Sequence, residues 1–272
     1  MLNNEEKKMY SSKGFVAPID IYSLKEISQI HEELEFIENR WPEEISGQGR
    51  NNTHLILTII DTIVHNRKIL DAVESIIGKN ILVTGTTLFI KDPETKGFVS
   101  WHQDAKYIGF DPNNFVTAWL ALTEANQENG CMWMWQGSHK KLREHKDQFE
   151  ENNLLTRGQT VENVSMKKTE AVILKAGQMS LHHPRVVHGS GVNKSKERRI
   201  GFVIQSYIGS NVKQVLGKMY VQQARGEDCF NYHDYVERPK ITMVEKDNNV
   251  RKIANEELSK IFYKDLNKKG KY

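Results

Sequence analysis

Only two cysteines, Cys131 and Cys229, occur in the 272 residues, and they form no metal-binding pair. That argues against a disulfide framework and for a reducing compartment, so the protein is expected to be cytoplasmic. No apolar run approaches the roughly 20 residues that a membrane span needs, and the start, Met1-Leu2-Asn3-Asn4-Glu5-Glu6-Lys7-Lys8, is charged where a secretion signal would be apolar. Neither sign of charge dominates: 38 basic and 35 acidic residues leave a net +3, which speaks against nucleic acid as a partner. Long Gly/Ser/Pro linkers and internal repeats are missing as well. One domain with a sizeable core is the simplest organisation.

What is present changes character along the chain. Ser23-Leu24-Lys25-Glu26 is a capping box, and Ile27, Ile30, Leu34 and Ile37 follow at helical spacing. The stretches Leu55 to Val64 and Ile69 to Ile77, the latter ending at Gly78, predict two further helices. From Asn80 the pattern turns to short β-rich segments bounded by turn residues, as in Ile81-Leu82-Val83 and Thr86 to Phe89. Ala171 to Leu181 reads as two strands around the turn at Gly177. The expected fold is mainly β with flanking helices, a double-sheet barrel whose mouth is a natural buried site. The expected parts are a helical region over about 1–78, a barrel core over about 79–210, a charged lid-like insertion over about 140–170, and an extension over 211–272. The tail from Asp247 onward is polar, with a helix expected at the start of that tail and a frayed end at Lys268-Lys269.

Within the barrel region, Trp101-His102-Gln103-Asp104 carries an H-x-D triplet. On a strand end, residues i and i+2 point to one side, so His102 and Asp104 can reach one metal ion. Two imidazoles and one carboxylate on one face of Fe(II) leave three adjacent positions for a co-substrate and O2. A triplet alone carries little, since His145-Lys146-Asp147 is a second one, set in a charged run that reads as a solvated surface. The context downstream separates them. His188-Gly189-Ser190-Gly191 is followed by Arg199 at the head of an apolar strand, and turn residues lie between. His188 and Arg199 are therefore expected on adjacent antiparallel strands. A fixed guanidinium facing the metal suits the far carboxylate of a chelating dicarboxylate, and Ser190 would add a hydroxyl donor.

These motifs, with Val116 to Leu122, Asn129-Gly130-Cys131-Met132 and Gly137-Ser138-His139-Lys140, resemble the phytanoyl-CoA dioxygenase family from about Leu88 to Ile208. One departure is Gln136, where relatives often carry Pro. The resemblance implies a double-stranded β-helix, or jelly roll, with Fe(II), 2-oxoglutarate and O2 as cofactor and co-substrates. It implies His102, Asp104 and His188 as iron ligands, with His188 preferred over His183 because Ser190 and Arg199 follow it. It implies Arg199 and Ser190 as the holders of 2-oxoglutarate, with Trp119 and Lys91 close to the co-substrate. Related halogenases have Gly or Ala at the position of Asp104, so the carboxylate here implies hydroxylation.

The substrate is expected to be a small polar metabolite, anionic ones included. The motifs look closest to hydroxylases of organophosphonates. Gln103, Tyr107 and Trp133 (or Trp135) are candidates for its pocket, with Lys106 and Arg185 near an anionic head group. A desaturating or cyclising oxygenase, a zinc site and a non-catalytic small-molecule-binding barrel stay open at this point. Oligomeric state is not legible.

Overall fold

The computed structural model describes residues 1–267 and Gly270. The expected fraying at Lys268-Lys269 lies outside the described residues. Two antiparallel sheets face each other. In the larger, the strands run in the order Phe15–Asp20, Gln178–His182, Phe115–Ala121, Arg199–Gly209, Ile81–Val83, Tyr220–Arg225 and Asp234–Tyr235, and Thr86–Lys91 also pairs with Arg199–Gly209. The last of these neighbour pairs, Tyr220–Arg225 with Asp234–Tyr235, is parallel. The smaller sheet has the order Thr169–Val172, Met132–Trp135, His188–Ser190 and Val99–His102. This is the jelly-roll architecture expected from the sequence.

The period of two along the central strands decides what lies on each side of the larger sheet. Val116, Ala118 and Leu120 on one strand, with Phe202 and Ile204 on its neighbour, join the core under the helices. Trp119, Ala121 and Val203 point the other way, into the space between the sheets. All seven residues of Phe115–Ala121 are buried, because both of its faces are covered.

The helices on the outer face are α1 (Asn4–Lys13), α2 (Leu24–Arg40), α3 (Thr58–Val64) and α4 (Arg67–Ile77). The Ser23 capping box forms as predicted, and Ile27, Ile30, Leu34 and Ile37 of α2 are buried. Fully burying each such side chain contributes about 1.5–3 kcal/mol. Helix α3 begins later than expected, since Thr53–Leu55 forms a separate 3-10 turn before it. Helix α1 has no counterpart in the sequence reading. It is held by an Asn3/Glu6 capping box and buries none of its residues, so it leaves no apolar period to read.

Beyond the sheets, α5 (Ala105–Ile108) follows the smaller sheet's edge strand, and α6 (Glu245–Phe262) packs against it. No helix among the described residues is long and apolar enough to cross a membrane.

Candidate metal centre

His102 ends the strand Val99–His102, and His188 begins the strand His188–Ser190. The two are direct partners in register, which brings their ring centroids to 4.1 Å. Each imidazole is oriented by its own chain: Nδ1 of His102 donates to the Ser100 carbonyl at 2.9 Å, and Nδ1 of His188 to the Val186 carbonyl at 3.1 Å. Both Nε2 atoms are thereby left as acceptors facing one point.

Asp104 completes the group in a way the sequence did not suggest. It is not on the strand; its backbone is helical (φ −58, ψ −34) at the start of α5. The turn, rather than strand alternation, sends its carboxylate back over the histidines. Oδ1 lies 3.3 Å from His102 Nε2 and 3.7 Å from His188 Nε2. The other oxygen, Oδ2, accepts from Thr117 Oγ1 at 2.8 Å and from His182 Nε2 at 3.3 Å. His182 and Thr117 are cross-strand partners in the larger sheet, so that sheet fixes a carboxylate belonging to the other side of the sandwich.

The donor atoms of His102, Asp104 and His188 all lie within 4.8 Å of one another, the only such cluster of three among the described residues. Burial pushes the His188 pKa down to about 3, and the neighbouring His102 adds to the push, so this imidazole is neutral at physiological pH and free to ligate. Burial acts to raise the pKa of Asp104, but the neighbouring imidazoles and the hydrogen bond from His182 outweigh it and hold the carboxyl ionised well below its usual range. Two imidazole nitrogens and one anchored carboxylate oxygen form a donor set that fits a divalent transition metal.

Arg199 lies on the opposite sheet. His188 and Arg199 are thus not on adjacent strands, as the turn-rich connection suggested. The segment between them crosses from the smaller to the larger sheet and sets the two residues facing each other across the sandwich. Arg199 is 2% exposed, stacks over the Trp119 ring at 5.4 Å, and has no carboxylate partner among the described residues. Its Nε is buried without a hydrogen-bond partner. Burial lowers its pKa to about 10, which still leaves it cationic. Gly201, next on the same face, permits the indole to lie there, since a Cβ at that position would overlap the Trp119 ring. Lys91 pairs in register with Arg199, and its Nζ donates to Ser190 Oγ at 2.7 Å and to the Gly191 carbonyl. A buried cation with no counter-charge is unfavourable, so the site as it stands suits an anionic ligand.

A cavity of about 140 Å³ joins these groups: His102, Asp104, His188, Ser190, Trp119 and Arg199 all line it. Tyr107 also faces it, its hydroxyl donating to Asp147 at 3.0 Å. Two other expected substrate contacts are misplaced. Gln103 is 1% exposed, and its amide holds the Lys141 and Arg185 carbonyls and the Arg143 N–H, so it staples the loop behind the site. Trp133 borders a groove on the outer face of the smaller sheet, while Met132 points into the cavity. Along Met132-Trp133-Met134-Trp135 that alternation was the available signal.

Lys106 and Arg185 do not line the cavity either; Lys106 pairs with Glu144 at 3.4 Å. His145-x-Asp147, expected as a solvated surface, is structural: His145 Nε2 accepts the Gln103 N–H at 2.9 Å, and Asp147 pairs with Arg157. Residues missed in the sequence are Thr117 and His182 behind Asp104, and Leu258 and Phe262 of α6 on the cavity wall.

A jelly roll with two histidines and an aspartate converging on one point, and a buried arginine facing them, defines the 2-oxoglutarate-dependent non-heme iron dioxygenases, and this chain is an enzyme of that class. It belongs to the phytanoyl-CoA dioxygenase family, whose model matches residues 10–201. It is 28% identical to a probable alpha-ketoglutarate-dependent hypophosphite dioxygenase of Stutzerimonas stutzeri, over 85% of this chain and 83% of that protein. It is 24% identical to the peroxisomal phytanoyl-CoA dioxygenase of Rattus norvegicus, over 72% of this chain and 65% of that enzyme. Among solved structures, the non-heme monooxygenase ThoJ in its apo form superposes with a TM-score of 0.81 at 29% identity, covering 94% of this chain and 96% of ThoJ.

Proposed function

We propose that this enzyme hydroxylates an aliphatic C–H bond of a small molecule, with Fe(II) held by His102, Asp104 and His188 and 2-oxoglutarate held by Arg199 and Ser190. The observation that carries the reading is the unpaired, buried Arg199 in the same cavity as the three convergent donors. A zinc or purely structural site gives that cation no task. Bound there, the metal and co-substrate would supply the oxidising power, 2-oxoglutarate and O2 being converted to succinate and CO2 with one oxygen atom delivered to the substrate.

The chain's own residues do the rest. Thr117 and His182 hold Oδ2 of Asp104, which keeps Oδ1 directed at the histidines. Trp119 covers the guanidinium and restricts the direction from which a carboxylate can approach. With Asp104 present in the donor set, no coordination position is vacated for a halide.

The remaining wall favours a substrate with an apolar segment and a neutral polar end. Ile108, Leu155, Leu258 and Phe262 give it apolar surface, and Tyr107 and Gln159 offer polar contacts. The second cation of the wall, Arg157, is neutralised: it pairs with Asp147, donates to the Phe262 carbonyl at 3.1 Å and lies 4.0 Å above the Tyr107 ring. Arg157 thereby ties the insertion to the end of α6, and these two segments together form the outer wall that excludes water.

The test is succinate release from Fe(II)-loaded enzyme with 2-oxoglutarate and O2, above the uncoupled background, across a panel of neutral amphipathic alcohols and amides, amino acids, aminoalkylphosphonates and hypophosphite. Neutral amphipathic compounds are expected to give the largest stimulation, with one oxygen atom gained and no change on adding chloride. Preferential turnover of hypophosphite or a phosphonate would overturn the substrate class, and a chlorinated product would overturn the role given to Asp104.

A further inference from the structure

Lys91 is an anomaly that the metal centre does not explain. It ends the strand Thr86–Lys91, is 1% exposed, and its Nζ has two neutral acceptors, Ser190 Oγ and the Gly191 carbonyl. From the neighbouring strand its register partner is Arg199, a second buried cation. From the segment before Met132–Trp135 the Cys131 thiol is the other titratable group facing it, and burial raises that thiol to about 11, so it brings no negative charge at neutral pH. Asn193 contributes only a side-chain amide, donated to the Lys91 carbonyl at 3.0 Å. The adjacent carboxylate, Asp92, is turned outward to Arg198 at 2.8 Å. Among the described residues no carboxylate lies close enough to Lys91 Nζ to compensate a charge there.

The geometry also gives Lys91 a route to the cavity. It does not itself line the space, but Ser190 does. With Ser190 Oγ occupied as an acceptor from Lys91, the serine's single proton is left to donate, and the open direction is the cavity beside Arg199. An anion accepting that proton would polarise the chain from Ser190 back to Lys91 and favour an ammonium over an amine.

Resting on the reading that 2-oxoglutarate is held by Arg199 and Ser190, we propose that the co-substrate binds with uptake of one proton from solvent by Lys91. Lys91 is a positioning residue that acts through Ser190. In the free protein, burial first and the Arg199 cation second push the Lys91 pKa down to about 6, so it is largely an amine at pH 7.5. When the carboxylate arrives the amine gains a proton. A form favoured by protonation is weakened as pH rises, so affinity for 2-oxoglutarate falls about tenfold per pH unit between the free and bound pKa values.

Calorimetric titration of anaerobic Fe(II)-loaded enzyme with 2-oxoglutarate, in phosphate and in Tris at pH 7.5, reads the proton directly. The expected result is a binding heat that depends on buffer ionisation heat with a slope near one proton taken up, and dissociation constants that rise about tenfold from pH 7 to pH 8. Lys91→Met should bind more weakly with a slope near zero, and Lys91→Arg, permanently charged, should bind with no pH slope. A zero slope in the wild-type protein, which needs no variant, overturns the proposal, as does an unchanged slope in Lys91→Met. If 2-oxoglutarate does not bind at all, it is the underlying reading that fails instead.

Discussion

Replacing His188 by alanine is expected to abolish coupled turnover and to empty the metal site, while the protein stays folded. His188 supplies one of two nitrogen donors, and its ring makes only one hydrogen bond to its own chain, from Nδ1 to the Val186 carbonyl. With one imidazole and one carboxylate left, the remaining pair cannot hold three positions of an octahedron. Loss of an outer partner of a metal ligand typically lowers metal affinity by about 10–100-fold, and loss of the ligand itself should exceed that. His182→Ala is the internal comparison, because His182 touches Asp104 Oδ2 rather than contributing to the donor cluster. Metal content after desalting should be near background for His188→Ala and intermediate for His182→Ala. If the two variants retained equal metal, the assignment of the third ligand would be wrong.

Arg199→Met is expected to separate co-substrate affinity from stability. A hydrogen bond to a charged group contributes about 1.5–3 kcal/mol, so losing a bidentate pair to a carboxylate should raise the dissociation constant of 2-oxoglutarate by more than about 100-fold. Metal content should be unchanged, since Arg199 is on the opposite sheet from the histidines. The free protein should melt at the same temperature or higher, because the substitution removes a buried cation that has no carboxylate partner among the described residues and leaves apolar bulk under Trp119. A large loss of thermal stability with unaltered 2-oxoglutarate affinity would mean that Arg199 is structural.

Some of this architecture was legible because it is written in local patterns. The α2 capping box with its four buried isoleucine and leucine positions and the strand-rich middle of the chain follow from spacing and residue type, while the family resemblance pointed to His102, Asp104, His188 and Arg199. The route by which the chain brings them together was not legible. Asp104 was expected on a strand and sits on a helical turn, and Arg199 was expected beside His188 and faces it from the other sheet. Both outcomes depend on how the chain passes between two sheets, which no local period encodes. Gln103 and Trp133 were drawn into the pocket by nearness in sequence to the ligands, although side chains next to an inward one on a strand point outward. Thr117 and His182 reach Asp104 only through strand pairing, and Leu258 and Phe262 reach the cavity from a helix far along the chain.

One measurement bears most directly on the central claim that the three donors and Arg199 form a single iron and 2-oxoglutarate site. It is the visible absorption of anaerobic Fe(II)-loaded protein titrated with 2-oxoglutarate. A chelated 2-oxoacid on Fe(II) should produce a weak charge-transfer band that saturates with added co-substrate, requires His188, and in Arg199→Met appears only at much higher concentration. A fully metal-loaded wild-type protein that develops no such band would contradict it.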